Sequence, residues 1–262
     1  MSQPPRWRRG VGTLLGLPTM PIRKLLHFDA SHLTSPQRRR HGLTLVLSGI
    51  EGRGPFVQSL AQGLGDVDDG AVEVFEWTTR RVFATLKHLA ALRRNREQAA
   101  KLADAVMAYQ AEHPAAPLHL VGHSGGAAIT VFALEELARR GAAPVDSAML
   151  LGAALSHDYD LDVALSGASL VRSFHSPLDI PHLVLGTLVF GTVDRRHTVS
   201  AGFRGFRERN LSSYQRLEQR PYRRAMFSSW HWGGHMGWTN RVFAAEHLAP
   251  LLRQSEPPKR CE

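Results

Sequence analysis

The sequence predicts an α/β protein with a mostly parallel central sheet and helices on both faces. Strand-like and helix-like stretches alternate along the chain, which is the pattern of such a sheet. The chain has 262 residues and is 43% hydrophobic, enough to bury one large core. The elements are taken below in chain order.

The first half of the chain contains two predicted strands and two predicted helices. The apolar run Leu43–Ser48 predicts a buried strand, and Ala71–Trp77, which alternates apolar and acidic residues, predicts a half-exposed one. Phe56–Leu64 predicts a short helix between them. A long helix is expected over Arg93–His113, because prolines follow it at once.

The second half begins with a buried strand from Leu118 and a helix over Ala127–Arg140 that Gly141 ends. The later elements are two strands, a short final strand and a closing helix: Ser147–Leu155, Leu170–Phe174, Ala225–Phe227 and Arg241–Leu252.

The junction of the strand from Leu118 with its helix is the most informative segment. It reads Gly122-His123-Ser124-Gly125-Gly126, a Gly-x-Ser-x-Gly pattern between a strand and a helix. A sharp turn there presents a serine hydroxyl to a base, and glycines at the flanks avoid collisions with neighbouring backbone. A nucleotide-binding turn is the alternative, but no Gly-x-Gly-x-x-Gly or phosphate-binding lysine accompanies it. We therefore interpret Ser124 as a nucleophile.

A serine nucleophile needs an acid that follows it in the chain. Asp179 comes just after the second strand beyond Ser124, at the sheet edge where the loops converge. A turn-forming role beside Pro177 is the alternative for Asp179. The reserve candidates, which follow the first such strand, are Asp158, Asp160 and Asp162.

The base is expected in the segment WHWGGHMGW, which offers His231 and His235. His235 is preferred because the glycines around it let a loop approach Ser124. A zinc site on helical spacing is not expected, since Gly233-Gly234 disfavours a helix. Nearby tryptophans could line an acyl pocket, meet a lipid interface or pack in the core: Trp230, Trp232 and Trp238.

The oxyanion hole is expected to use two backbone amides. One belongs to Gly125, which follows the nucleophile, and the other is assigned to Ile50 in the loop after the first strand. No cofactor and no metal are expected, and the single cysteine, Cys261, provides no thiol metal site.

One domain is predicted over residues 41–255, after a basic extension at residues 1–40 and before a tail at residues 256–262. Residues 181–220 are predicted as a cap-like insertion. The extension has basic residues before a short apolar stretch, but it lacks an export cleavage site. It is expected to be disordered or docked on the surface, and the protein is expected in the cytoplasm.

The net charge of +9 is concentrated in two segments. Residues 1–40 and 195–224 each carry a net charge of +7, so the rest of the chain is acidic. A solvated basic surface is the plain interpretation, and peripheral contact with anionic lipid is the alternative. No nucleic-acid partner is expected, since neither segment carries a base-reading motif.

The chain resembles the α/β-hydrolase superfamily, and within it an uncharacterised bacterial branch of serine hydrolases. The motifs that carry this resemblance are GIEG, EWTT, VGHSGG, F-x-S-P-x-D, GTVD and HWGGH-x-GWTN, at Gly49–Gly52, Glu76–Thr79, Val121–Gly126, Phe174–Asp179, Gly191–Asp194 and His231–Asn240. The resemblance covers residues 43–252 and implies a triad of Ser124, Asp179 and His235 without a cofactor.

The expected activity is hydrolysis of a carboxylic ester, with a small molecule or a lipid-derived ester as substrate. An acyltransferase or thioesterase on the same triad is the first alternative, because only the acceptor or leaving group differs. A catalytically silent hydrolase fold that binds lipid or an acidic partner is the second.

Overall fold

A six-stranded sheet, all of whose strand pairs are parallel, forms the centre of the computed structural model, which describes residues 3–16, 30–78, 91–179, 191–209 and 211–254. The spatial order is β2-β1-β3-β4-β5-β6. The strands are β1 (Leu43–Leu47), β2 (Ala71–Phe75), β3 (Leu118–His123), β4 (Val145–Leu151), β5 (Ala168–His175) and β6 (Leu217–Pro221).

Helices cover both faces of the sheet, and each face has its own hydrophobic core. In β1, Leu45 and Leu47 point into one core and Val46 into the other, because side chains alternate along a strand. The α-helices are α1 (Arg6–Leu14), α2 (Pro36–His41), α3 (Pro55–Gly65), α4 (Leu92–Glu112), α5 (Gly125–Arg139), α6 (Asp162–Ser166) and α7 (Ala201–Arg204). The closing helix α8 has three consecutive segments, α-helical over Arg241–Phe243, π-helical over Ala244–Leu248 and α-helical over Ala249–Leu252. Helices α4 to α6 contribute to the first core, and α3 and α8 to the second.

The strand order places the functional edge of the sheet. The order reverses between β1 and β3, since β2 lies on the outer side of β1 and the later strands lie beyond β3. In open parallel sheets, ligands bind at the carboxyl ends of the strands beside such a reversal. The loop after β1 and the turn at Ser124 both lie there.

The basic helix α1 packs against the body of the protein. The Gly10 carbonyl accepts a hydrogen bond from Asn240 Nδ2 at 3.1 Å, and Arg9 forms an ion pair with Asp66 at 3.1 Å. A Cβ on Gly10 would lie only 2.4 Å from the Trp230 ring, so glycine allows this close approach. Of the basic extension, residues 6–14 are therefore a docked helix.

Two segments differ from expectation. The predicted strand Ala225–Phe227 is wrong, because Arg224–Ser229 forms a 3₁₀ helix. The strand next to β5 is β6, whose first residues fall within the stretch expected to be an insertion, residues 181–220. An edge strand with only one buried residue, Leu217, has no apolar run to reveal it. Within that stretch, residues 181–190 and residue 210 lie outside the described residues.

Candidate active site

Ser124 occupies a strained turn between β3 and α5. Its backbone has φ 54° and ψ −117°, a conformation that costs a residue with a side chain about 1–3 kcal/mol. Hydrogen bonds hold it there: the Ser124 amide donates to Leu151 O at 2.8 Å, and its carbonyl accepts from Ala154 N at 3.2 Å. The sequence-predicted turn is thus present, with its serine anchored to the end of β4.

The glycines around Ser124 are required by close backbone contacts. A Cβ on Gly122 would lie 2.6 Å from Gly126 O, and a Cβ on Gly126 would lie 2.4 Å from Ser48 O. Real Cβ atoms do not approach oxygen so closely, so alanine at either position would move the backbone. The close fit binds the start of α5 to the loop after β1.

Gly125 and Ile50, the two residues predicted to provide the oxyanion amides, lie against each other. Gly125 begins α5, so its amide has no acceptor within the helix. A Cβ on Gly125 would lie 2.9 Å from Ile50 Cγ2, which brings the loop after β1 against the start of α5. Trp77 fixes the base of this loop, because its indole Nε1 donates to Ser48 O at 2.8 Å.

Asp179 and His235 form a buried pair. His235 Nδ1 lies 2.5 Å from Asp179 Oδ2, and the two residues are 5% and 0% exposed. A carboxylate accepts only, so this contact places the Nδ1 proton on His235. The contact joins the loop after β5 to the loop before α8.

His235 lies over the end of β4, beside the strand that carries Ser124. A Cβ on Gly152, the residue after β4, would be 3.3 Å from His235 Nδ1. Gly152 adopts φ +55°, which residues with a side chain rarely adopt. The end of β4 therefore supports both Ser124, through Leu151 O, and the His235 ring, through the open space at Gly152.

The structure separates the reserve acids from this pair. Asp158 pairs with Arg196, Asp160 lies 3.2 Å from Arg209, and Asp162 accepts a hydrogen bond from a serine hydroxyl. These are surface contacts of the segment after β4. None of the three carboxylates contacts His235 in the contacts of the described residues.

The reserve base, His231, faces an aromatic cluster. Its Nδ1 accepts a hydrogen bond from Gly233 N at 3.1 Å, and its ring centroid lies 4.0 Å from that of Trp238. Burial, assisted by the nearby charge of His247, lowers the pKa of His231 to about 3. His231 is thus a neutral core residue.

Ser176 is a site residue that the sequence analysis did not single out. Its hydroxyl donates to Gly233 O at 2.6 Å and accepts from Leu178 N at 3.2 Å. It therefore ties the loop that carries Asp179 to the loop that carries His235. The signal was the Ser-Pro step before Asp179, where a serine hydroxyl commonly caps a turn.

An apolar cavity of about 220 Å³ reaches His235. Its lining comes from α1, α3 and the loop around the histidine, and includes Leu14, Phe56, Trp230, Trp232, Met236 and His235. The packed helix α1 forms one wall, so a segment outside the sheet helps to shape the cavity that His235 lines.

Neither a candidate metal site nor a candidate membrane span occurs within the described ranges. No cluster of three or more histidine, cysteine or acidic side chains there is arranged to hold a metal ion. No helix there is long and apolar enough to cross a bilayer.

The parallel sheet, with its order reversal at β1 and a nucleophile-type turn after β3, defines the α/β-hydrolase fold, and the predicted fold class is confirmed. Solved structures offer distant likenesses. RedJ, solved with a polyethylene glycol molecule bound in its active site, is 14% identical over 84% of this chain and 90% of its own, with a TM-score of 0.40. TT1662 from Thermus thermophilus is 17% identical over 83% of this chain and 90% of its own, with a TM-score of 0.45. Scans of protein-family models and of curated proteins found no match.

Proposed function

We propose that the protein is a serine hydrolase that cleaves a carboxylic ester through an acyl-enzyme. The observation that carries this proposal is the buried contact of 2.5 Å between His235 Nδ1 and Asp179 Oδ2, at the sheet edge that carries the strained Ser124. A buried acid–imidazole pair next to a serine in this turn is the arrangement that serine hydrolases use.

In the proposed reaction, His235 Nε2 takes the proton of Ser124 while Oγ bonds to the ester carbonyl carbon. The carbonyl oxygen becomes an oxyanion, which the amides of Gly125 and Ile50 stabilise. His235 then donates the proton to the leaving alkoxide, and the C–O bond breaks. Water repeats the sequence on the acyl-enzyme, releasing the acid and restoring Ser124. Asp179 stabilises the imidazolium in both halves.

The apolar cavity supports an ester with a hydrocarbon acyl chain, including a lipid-derived one. Side chains of Leu14, Phe56 and Met236 line it, and they offer contact without hydrogen bonds. Burial of hydrocarbon is worth about 0.8 kcal/mol per CH₂ group. Longer acyl chains are therefore expected to lower KM until the cavity is filled.

The decisive experiment is labelling with a fluorophosphonate, followed by mapping of the modified peptide. Ser124→Ala is expected to abolish labelling and to lower p-nitrophenyl ester hydrolysis by about 10⁴- to 10⁶-fold. Ser229→Ala is the matched control, because Ser229 is also buried and contacts His247 Nε2 at 2.9 Å. Full turnover by Ser124→Ala, or label on Ser229, would refute the assignment.

The role of His235 has its own test in the pH profile. An imidazole accepts a proton only when it is neutral, so kcat/KM is expected to fall on the acid side by about tenfold per pH unit. A rate that stays flat from about pH 5 to about pH 9 would count against a histidine base.

We also propose that the protein docks on anionic lipid surfaces beside this cavity. Trp7 is 57% exposed, Phe227 61% and Trp232 50%. Trp232 stacks on Phe227 at 5.8 Å and also lines the cavity, so the exposed aromatic surface is continuous with the site. Aromatic side chains flanked by basic ones are suited to the headgroup region of a membrane.

Positive charge beside these aromatic side chains supports anionic lipid as the partner. Among residues 3–16, which contain no acidic residue, Arg8 is exposed, whereas Arg6 and Arg9 are ion-paired with Glu246 and Asp66. Arg224 lies one 3₁₀ turn before Phe227, on the same edge of that helix. Exposed arginines there add attraction of about 1 kcal/mol each near an anionic surface.

The test is flotation with vesicles of phosphatidylcholine, with and without phosphatidylglycerol. Phe227→Ser is expected to weaken binding to anionic vesicles, while hydrolysis of a soluble ester is unchanged. Leu211→Ser is the matched control, since Leu211 is 45% exposed and precedes a segment packed on the other core. Equal binding to both vesicle types, or an unaffected Phe227→Ser, would refute the docking surface.

A further inference from the structure

We propose that His123 and Glu51 are positioning residues that tie the serine turn, the oxyanion loop and the histidine loop together. Neither was assigned a role in the sequence analysis, where His123 was only the second residue of the serine motif. The inference rests on the proposed function for its catalytic consequence, but its structural part is independent of activity.

His123 contacts the histidine loop through one edge of its ring. Its Nε2 lies 3.2 Å from the backbone oxygen of His235, and the two rings are 4.6 Å apart between centroids. A carbonyl oxygen only accepts, so Nε2 carries a proton. Because His123 immediately precedes Ser124, this bond couples the nucleophile's own strand to the residue that acts as base.

The other edge of the ring faces the oxyanion loop. His123 Nδ1 lies 3.8 Å from Glu51 Oε1, and Glu51 is the next residue after Ile50. His123 is 1% exposed, and neither of these two atoms has a hydrogen-bond partner within the described ranges. A bare Nδ1 would set a lone pair against a carboxylate, whereas a proton on Nδ1 makes the contact an ion pair.

The Glu51 carboxylate folds back over its own turn. A Cβ on Gly49 would be 2.2 Å from Glu51 Oε2, so glycine leaves the space that the carboxylate fills. Burial alone would raise the pKa of Glu51, but the adjacent His123, together with a backbone hydrogen bond of Glu51 and the more distant His235, lowers it overall. Glu51 is therefore ionised beside the proposed oxyanion donors.

A carboxylate in that place has a catalytic consequence. Negative charge beside Ile50 opposes the oxyanion that develops there, and the effect is large in a buried site. The positive charge of His123 offsets it and also fixes the loop. The pair thus permits a buried carboxylate to hold the oxyanion loop without raising the barrier.

The test is a set of three variants: His123→Leu, Glu51→Gln and the double variant. His123→Leu leaves the Glu51 charge unpaired, so kcat is expected to fall about 100-fold with KM unchanged. Glu51→Gln, which keeps size and removes charge, is expected to lower kcat less than tenfold. Adding Glu51→Gln to His123→Leu is expected to restore kcat about tenfold, because the opposing charge is gone.

A packing role alone would give a different pattern. If the double variant is no faster than His123→Leu, or if His123→Leu keeps the kcat of the unmodified chain, the pairing is refuted. Circular dichroism and the Tm report whether each variant is folded.

A measurement independent of catalysis separates this inference from the proposed function. NMR of ¹⁵N-histidine-labelled protein is expected to show both ring nitrogens of His123 protonated, with loss of the Nδ1 proton in Glu51→Gln. A bare Nδ1 in the unmodified chain would overturn the pairing even if the ester is cleaved. If no ester is cleaved while both nitrogens are protonated, the proposed function fails and the pairing stands.

Discussion

Buried His231 is expected to make the stability of this protein fall steeply in mild acid. Burial among aromatic rings, with a smaller effect from the charge of His247, lowers its pKa from 6.5 to about 3. In the unfolded chain the ring is exposed and binds a proton near pH 6.5. Between these two values the unfolded state holds more protons, so the free energy of unfolding rises with pH.

The magnitude follows from the two pKa values. The contribution of neutral His231 to the free energy of unfolding is fully present above about pH 6.5 and is lost as the pH falls toward 3. It totals about 5 kcal/mol. Between pH 7 and pH 5 the loss is about 2 kcal/mol. For a chain of this length, that corresponds to a fall in Tm of about 4–8 °C.

The assay is urea denaturation at pH 7 and pH 5, followed by tryptophan fluorescence. Burial also lowers the pKa values of His119, His175 and His247, so the total acid loss exceeds that of His231 alone. His231→Gln isolates the contribution. This variant loses packing at both pH values, but it is expected to lose about 2 kcal/mol less than the unmodified chain between them.

The reasoning depends on His231 being neutral when folded. Its Nδ1 accepts from Gly233 N at 3.1 Å, so a second proton would set two donors against each other. If His231→Gln and the unmodified chain lose the same free energy of unfolding between pH 7 and pH 5, the burial argument is wrong.

Three further predictions concern the site and its support. Asp179→Asn should lower kcat for ester hydrolysis by about 10⁴-fold, because an amide no longer fixes the His235 tautomer, while Tm changes little. An unaffected kcat would show that Asp179 is not part of the triad. Gly126→Ala should lower the free energy of unfolding by about 1–3 kcal/mol, because its Cβ would collide with the backbone. Gly12→Ala, whose Cβ would have nothing within 4 Å, should raise it by about 0.5–1 kcal/mol. Equal Tm values for the two variants would contradict this contact argument. Arg172→Leu should lower the free energy of unfolding, measured by urea denaturation, by about 3 kcal/mol. Arg172 is 1% exposed, and its guanidinium donates to the carbonyls of Leu251 and Gln254 and to the Glu218 carboxylate. A decrease of less than about 1 kcal/mol would be inconsistent with this anchoring role.

Local patterns located most of the sheet. The apolar run at β1 was predicted to within one residue of its observed ends, and β3 begins at Leu118 as predicted, because strands buried on both faces are rich in apolar residues. The strand β6 was not recognisable, since only Leu217 in it is buried. The 3₁₀ helix Arg224–Ser229 was mistaken for a strand, because its apolar residues Met226 and Phe227 are too few to define a period.

The chain order of serine, acid and histidine selected Asp179 and His235 as candidates, and the fold brings these two side chains into contact. Sequence alone kept His231 open, because both histidines lie in one glycine-rich loop. The tertiary structure separates them: one ring meets a carboxylate, and the other is enclosed by Trp238 and Phe243.

The sequence by itself determined the fold class and the place of the serine turn, because apolar periodicity and glycine spacing act over a few neighbouring residues. Only the tertiary structure decided that α1 lines the cavity. It alone also decided that His123 contacts both Glu51 and His235. Those contacts join residues 72 and 112 positions apart along the chain. Such long-range proximity depends on how the whole sheet and its helices pack, which no local pattern records.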